Sequence, residues 1–175
     1  MSRTGFLVKH TPQVHQSILD FYLQKANSFR AYFPAGQELS GSRPDFLALE
    51  GVFAQPWSGM VGCIVVEGTL TPAARALILE RGNFDEDGCY HPLQLWSYEL
   101  ANETEVLLRV GDFSVWTVFA TLSELKSLEK QKIPISEWQE FSLEPEEGVT
   151  LLPIDESDLR QITQAIGEAF IPKHE

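Results

Sequence analysis

Three β-prone segments, Leu93 to Ala101, Thr104 to Val110 and Ser114 to Ala120, follow one another with only Asn102-Glu103 and Gly111-Asp112-Phe113 between them. A parallel crossover needs a dozen or more residues, so connections this short commit the region to an antiparallel meander. Period-2 alternation then sorts the side chains. Trp96, Tyr98 and Leu100 share one face of the first segment, and Trp116 and Val118 share one face of the third. The opposite faces carry Leu95, Val115 and Phe119 as well as polar residues. Such a sheet is expected to be covered by helices on one side and met by a loop or a partner on the other.

Helix signals flank the meander. Thr11-Pro12 supplies an N-cap followed by proline at the first helical position. Val14, Ile18, Tyr22, Phe29 and Phe33 then recur beside Leu19, Leu23 and Ala26, which predicts a helix from about 12 to 33, ending before Pro34. The breaker-rich stretch 35–44 reads as a surface loop. Phe46 to Phe53 and Met60 to Glu67 read as two strands joined by a Gly/Pro turn that holds Trp57. Thr71-Pro72 and Gly82 bracket a short helix over 72–81, with Gly82 as a left-handed stop. Thr121 and Glu124 form a capping box for a helix ending near Lys132. Ser136 to Ser142 fits a helical turn and an edge strand equally. Val149 to Ile154 reads as a strand, and Asp155 caps a last helix whose stripe is Leu159, Ile162, Ile166 and Phe170.

The expected architecture is therefore α+β, a single domain over 1–175. Its sheet, antiparallel or mixed, should have about five to seven strands packed by about four amphipathic helices. A chain of 175 residues fits one domain of this kind and needs neither a metal nor a disulfide to fold. No apolar run approaches the length of a membrane span, and the start of the chain offers only the three-residue patch Phe6-Leu7-Val8. A cytoplasmic protein with no membrane contact is expected.

Charge is the least ordinary property. The chain carries 13 Lys/Arg against 25 Asp/Glu, a formal net of −12, which disfavours a nucleic-acid backbone as partner. Residues 1–82 hold seven basic and six acidic side chains, so all the excess lies in 83–175. Its densest groups are Asp85-Glu86-Asp87, Glu144-Pro-Glu-Glu147 and Asp155-Glu156-Ser-Asp158. Short clusters at the ends of folded elements give a fixed negative surface able to steer a basic partner, whereas a long acidic tail would repel itself. The last cluster also has a local explanation, because anions favour the first turn of a helix.

No motif for catalysis is complete. Asn83 to Gly88 matches the first half of a calcium loop, but Gln94 stands where a bidentate Glu is needed, so no metal is assigned. Cys89 and His91 are close in sequence, yet nothing completes a nucleophile pair or a tetrahedral metal site, and Cys63 reads as a small core residue. Phosphate-binding glycine loops are absent, so no cofactor is expected. Glu99, Glu103 and Glu105 read as a solvated strand face rather than acid/base pairs.

What remains favours binding over catalysis. The expected function is a non-catalytic acidic protein-binding domain of the immunity or inhibitor kind, neutralising a cationic partner such as a toxin or nucleic-acid enzyme. Asp85, Glu86, Asp87, Glu144, Glu146 and Glu147 are the candidate steering charges. Trp138 is the candidate anchor, since tryptophan concentrates binding energy at interfaces. Two alternatives stand beside this: a small enzyme or ligand-binding protein whose pocket is assembled from distant residues, and an assembly or scaffold subunit.

Overall fold

The computed structural model describes residues 3–8, 12–34, 42–83, 93–103 and 105–141. These belong to a compact unit, Met1–Leu143. Thr11, Asp85, Glu86, Asp87, Cys89, His91, Glu144, Glu146, Glu147 and the expected C-terminal strand and helix lie outside the described residues.

One antiparallel sheet organises the described residues. Its strands are β1 (Thr4–Val8), β2 (Ser28–Phe33), β3 (Val52–Pro56), β4 (Ile64–Thr69), β5 (Ser97–Asn102), β6 (Glu105–Gly111), β7 (Val115–Ala120) and β8 (Gln139–Phe141). They are ordered β3-β4-β2-β5-β6-β7-β1-β8. Four helices accompany them: α1 (Pro12–Lys25), α2 (Arg43–Leu47), α3 (Pro72–Arg81) and α4 (Leu122–Lys130). Among the described residues, the α+β class and the helix number agree with the sequence, every pairing is antiparallel, and the eight strands exceed the expected number by one.

The core lies on one face of the sheet. Phe29, Ala31 and Phe33 of β2, Tyr98 and Leu100 of β5, and Trp116 and Val118 of β7 are buried in one cluster with Ile18, Leu19 and Tyr22 of α1, Ile78 of α3 and Leu128 of α4. Complete burial of such side chains is worth roughly 1.5–3 kcal/mol each, which holds the helices against this face. His15 joins the same core, its ring stacked on Trp116 at 4.4 Å. Cys63 is buried and unpaired, a small core residue as expected.

The expected long first helix is cut short. α1 ends at Lys25, and Ser28–Phe33 instead forms β2, between β4 and β5. Phe29 and Phe33 fit both a helical and a strand period, but the alternation Ser-Phe-Arg-Ala-Tyr-Phe puts Phe29, Ala31 and Phe33 inward only in the extended form. Asn27 fixes the junction: its N–H donates to the Ala101 carbonyl at 3.0 Å and its carbonyl accepts from Leu70 at 2.8 Å.

Three further differences have local causes. Phe46 sits in α2, not a strand, and inserts its ring 5.6 Å from that of Phe29; Gly51, at φ 72°, then turns the chain into β3. The Phe6-Leu7-Val8 patch is part of β1, which earns its place by pairing with both β7 and β8. Gly82 ends α3 at φ −91°, so it is no left-handed stop. It is needed for proximity: a Cβ there would lie 2.5 Å from the Ile78 carbonyl oxygen and 2.9 Å from the Tyr98 hydroxyl, which donates to the Gly82 carbonyl.

Other signals hold. The Thr71 hydroxyl accepts from Ala74 N–H at 3.2 Å, and Thr121 with Glu124 forms the complete capping box of α4. The undecided stretch after Pro134 resolves into a 3-10 turn, Ile135–Glu137, followed by β8. Both sheet edges are blunted. β8 is three residues long, and at β3 the Trp57 N–H donation to the Cys63 carbonyl sets a parity in which Val52, Ala54 and Pro56 turn their backbone groups outward. Proline at the last of these removes a free donor.

Candidate functional site

The second face of the sheet carries a polar row that crosses all eight strands. In register it runs Phe53, Glu67, Arg30, Glu99, Arg109, Thr117, Leu7, Gln139. Cross-strand neighbours on one face interact directly, and here the charges alternate in sign. Arg30 Nε donates to Glu67 Oε2 at 2.8 Å, and Gln55 Nε2 donates to Glu67 Oε1 at 2.8 Å. Arg109 Nε donates to Glu99 Oε1 at 2.7 Å, and Arg30 lies 3.8 Å from the other Glu99 oxygen. Arg109 also stands over the Phe119 ring.

Glu99 departs from the expected solvated face. Its side chain is 7% exposed, while Glu103 and Glu105 are exposed as expected. A buried carboxylate requires partners, and the two flanking arginines together with Tyr32 supply them. Burial first, then the Glu99 charge and a hydrogen bond to that carboxylate, push the Tyr32 hydroxyl up to about 12. Tyr32 therefore stays protonated and neutral at ordinary pH.

Two residues along β2 from Arg30, at Tyr32, the same face opens into a groove of about 470 Å³, lined among the described residues by Tyr32, Trp57, Met60, Trp96, Glu99, Arg109 and Asp112, with Ser97, Val110 and Gly111 between them. Trp57 comes from the β3–β4 turn and tilts against Tyr32 with ring centroids 4.8 Å apart. Gly59 makes that fold-back possible, since a Cβ there would lie 2.6 Å from the Trp57 ring. Met60, in the same turn, is 46% exposed.

Trp96 and Asp112 form the other wall. Trp96 Nε1 donates to Asp112 Oδ1 at 2.8 Å, the Asp112 N–H donates to Ser97 Oγ at 3.1 Å, and the Phe113 N–H donates to the Trp96 carbonyl at 2.7 Å. These bonds hold a β6–β7 turn in which Asp112 and Phe113 have φ of 47° and 65°. The Ser114 N–H closes this turn on the Gly111 and Asp112 carbonyls at 3.2 and 2.8 Å, and two successive left-handed residues are costly without glycine. Strain of this sort, maintained by a dedicated set of hydrogen bonds, is common where a side chain must be aimed. The Asp112 carboxylate is left with one oxygen, Oδ2, that has no partner among the described residues.

The charges in the groove sum simply. Glu67 and Glu99 are matched one for one by Arg30 and Arg109, so Asp112 supplies the uncompensated negative charge. Elsewhere Glu105 and Glu124 are both paired with Arg3. Among the described residues no group of three His, Cys, Asp or Glu is placed to hold a metal, and no helix is long and apolar enough to cross a membrane.

Of the sequence-chosen binding residues, Trp138 alone is described. It is 8% exposed and belongs to the core cluster, its ring 6.2 Å from that of Phe6, because the 3-10 turn before it folds the indole inward. The tryptophans presented to the groove are Trp57 and Trp96. Neither the groove nor the burial of Glu99 is legible in the sequence, because each depends on strand register: Tyr32 falls within the helix expected over 12–33, and Glu99 meets its arginines only across β2 and β6. No protein-family model matches the chain, and neither a curated protein nor a solved structure resembles it closely enough to count as a match.

Proposed function

We propose that the chain is a non-catalytic protein-binding domain of the immunity or inhibitor kind, docking a partner with a basic surface at the groove beside Trp57, Trp96 and Asp112. The observation that carries this is the Trp96–Asp112 pair: a carboxylate fixed by an indole, beside two further aromatic side chains. Aromatic anchors concentrate binding energy, and a fixed opposite charge selects among partners. The net charge of −12 adds a long-range field that speeds encounter with a cation. Asp85, Glu86, Asp87, Glu144, Glu146 and Glu147 belong to this proposal as steering charges.

The test is capture by the immobilised chain from its native cell extract at low and at high salt, in parallel with Trp57→Ala and Asp112→Asn. Basic proteins retained at low salt, lost at high salt and lost from both variants support the proposal. Retention that ignores salt and both substitutions removes it. A second assignment, a small-ligand binding protein, draws on the groove volume, since about 470 Å³ falls within the range of small-molecule pockets. Thermal stabilisation of the chain by an extract depleted of macromolecules would favour it.

A further inference from the structure

Resting on that proposal, we infer that the groove accepts a single alkylammonium group, the side chain of a lysine on the partner, seated between the Trp57 and Trp96 walls with its charge on Asp112. Cations are attracted to the faces of aromatic rings, most strongly to tryptophan, and the attraction grows where water is partly excluded. The groove offers tryptophans on both sides, a neutral Tyr32, and the polarizable side chain of Met60 at its rim.

The polar groups decide which cation fits. A guanidinium binds carboxylates best through two parallel hydrogen bonds, which needs both oxygens of one carboxylate. Asp112 Oδ1 is already occupied by Trp96 Nε1, and both Glu99 oxygens face arginines. Of these four oxygens, Asp112 Oδ2 is the one with no partner among the described residues, which suits the compact point charge of an ammonium. A lysine stem is four methylenes long and packs along apolar surface while its head reaches a polar group.

The test follows the indole N–H signals of the four tryptophans by NMR during titration with n-butylammonium, using n-butylguanidinium and 1-butanol as controls. Saturable shifts of the Trp57 and Trp96 signals with butylammonium are expected, about fivefold weaker with Asp112→Asn and with Trp57→Ala. Asp112→Asn retains an oxygen for Trp96, so the wall is preserved while the charge is lost. Equal titration by butanol, tighter binding of butylguanidinium, or indifference to Asp112→Asn would each overturn the inference. A salt-sensitive basic partner that binds while butylammonium does not removes this inference and leaves the broader proposal standing. Butylammonium binding in a chain that captures no basic protein removes the partner lysine and the broader proposal together, leaving an alkylammonium site alone.

Discussion

Arg109 on β6 donates through Nε to the buried carboxylate of Glu99 on the neighbouring strand β5, at 2.7 Å. The two ends of this pair are unequal: the Glu99 side chain is 7% exposed and that of Arg109 is 51% exposed. Removing the arginine leaves a buried charge with Arg30 at 3.8 Å as its nearest cation, whereas removing the carboxylate charge leaves an arginine that water can solvate. Arg109→Ala is therefore expected to cost about 1–3 kcal/mol and Glu99→Gln less than about 1 kcal/mol. Urea unfolding of the two variants measures the asymmetry, and equal losses would contradict it.

Glu124 gives the fold an acid-sensitive joint. Burial alone would raise its pKa, but hydrogen bonds from the Thr121 N–H and from Arg3 outweigh it and hold the carboxyl below its usual value near 4.5. A group depressed on folding contributes stability that is present above its unfolded pKa and is lost as pH falls through the folded value. Glu124→Gln is expected to lower stability by about 1–2 kcal/mol at pH 7. The gap from the unmodified chain should narrow as pH drops below about 4.5. Urea midpoints across a pH series read this directly, and a gap that widens in acid would contradict it.

Gly82 is required by packing, not by backbone conformation. An added Cβ would press on the Ile78 carbonyl and the Tyr98 hydroxyl, the latter held to the Gly82 carbonyl at 2.7 Å. At Gly111 an added Cβ meets nothing within 4 Å. Gly82→Ala should cost about 2–4 kcal/mol and Gly111→Ala under about 1 kcal/mol, seen as a clear difference in Tm.

Sequence made some of this architecture legible and hid the rest for identifiable reasons. Thr71-Pro72 and Thr121 to Glu124 act within a single turn of chain, so their local chemistry sufficed. The β5–β6–β7 meander was equally readable because its connections are short. Phe29 and Phe33 misled because five residues contain too few apolar positions to separate a period of two from one of 3.6. The charge ladder through Glu67, Arg30, Glu99 and Arg109 was beyond reach, since β2 meets β5 across more than sixty intervening positions and register cannot be read without knowing which strands pair. Trp96 and Asp112 were closer together, yet their pairing depends on two residues adopting left-handed backbone in a turn without glycine at either position.

The central claim, that a basic partner docks through lysine at the aromatic groove, is tested most directly by mapping where a tetralysine peptide perturbs the backbone and indole NMR signals of the full chain at low salt. Saturable changes concentrated at Trp57, Met60, Trp96, Gly111 and Asp112, and weakened about fivefold by Asp112→Asn, are the predicted result. Changes spread evenly over the acidic surface, or centred away from those five residues, would contradict it.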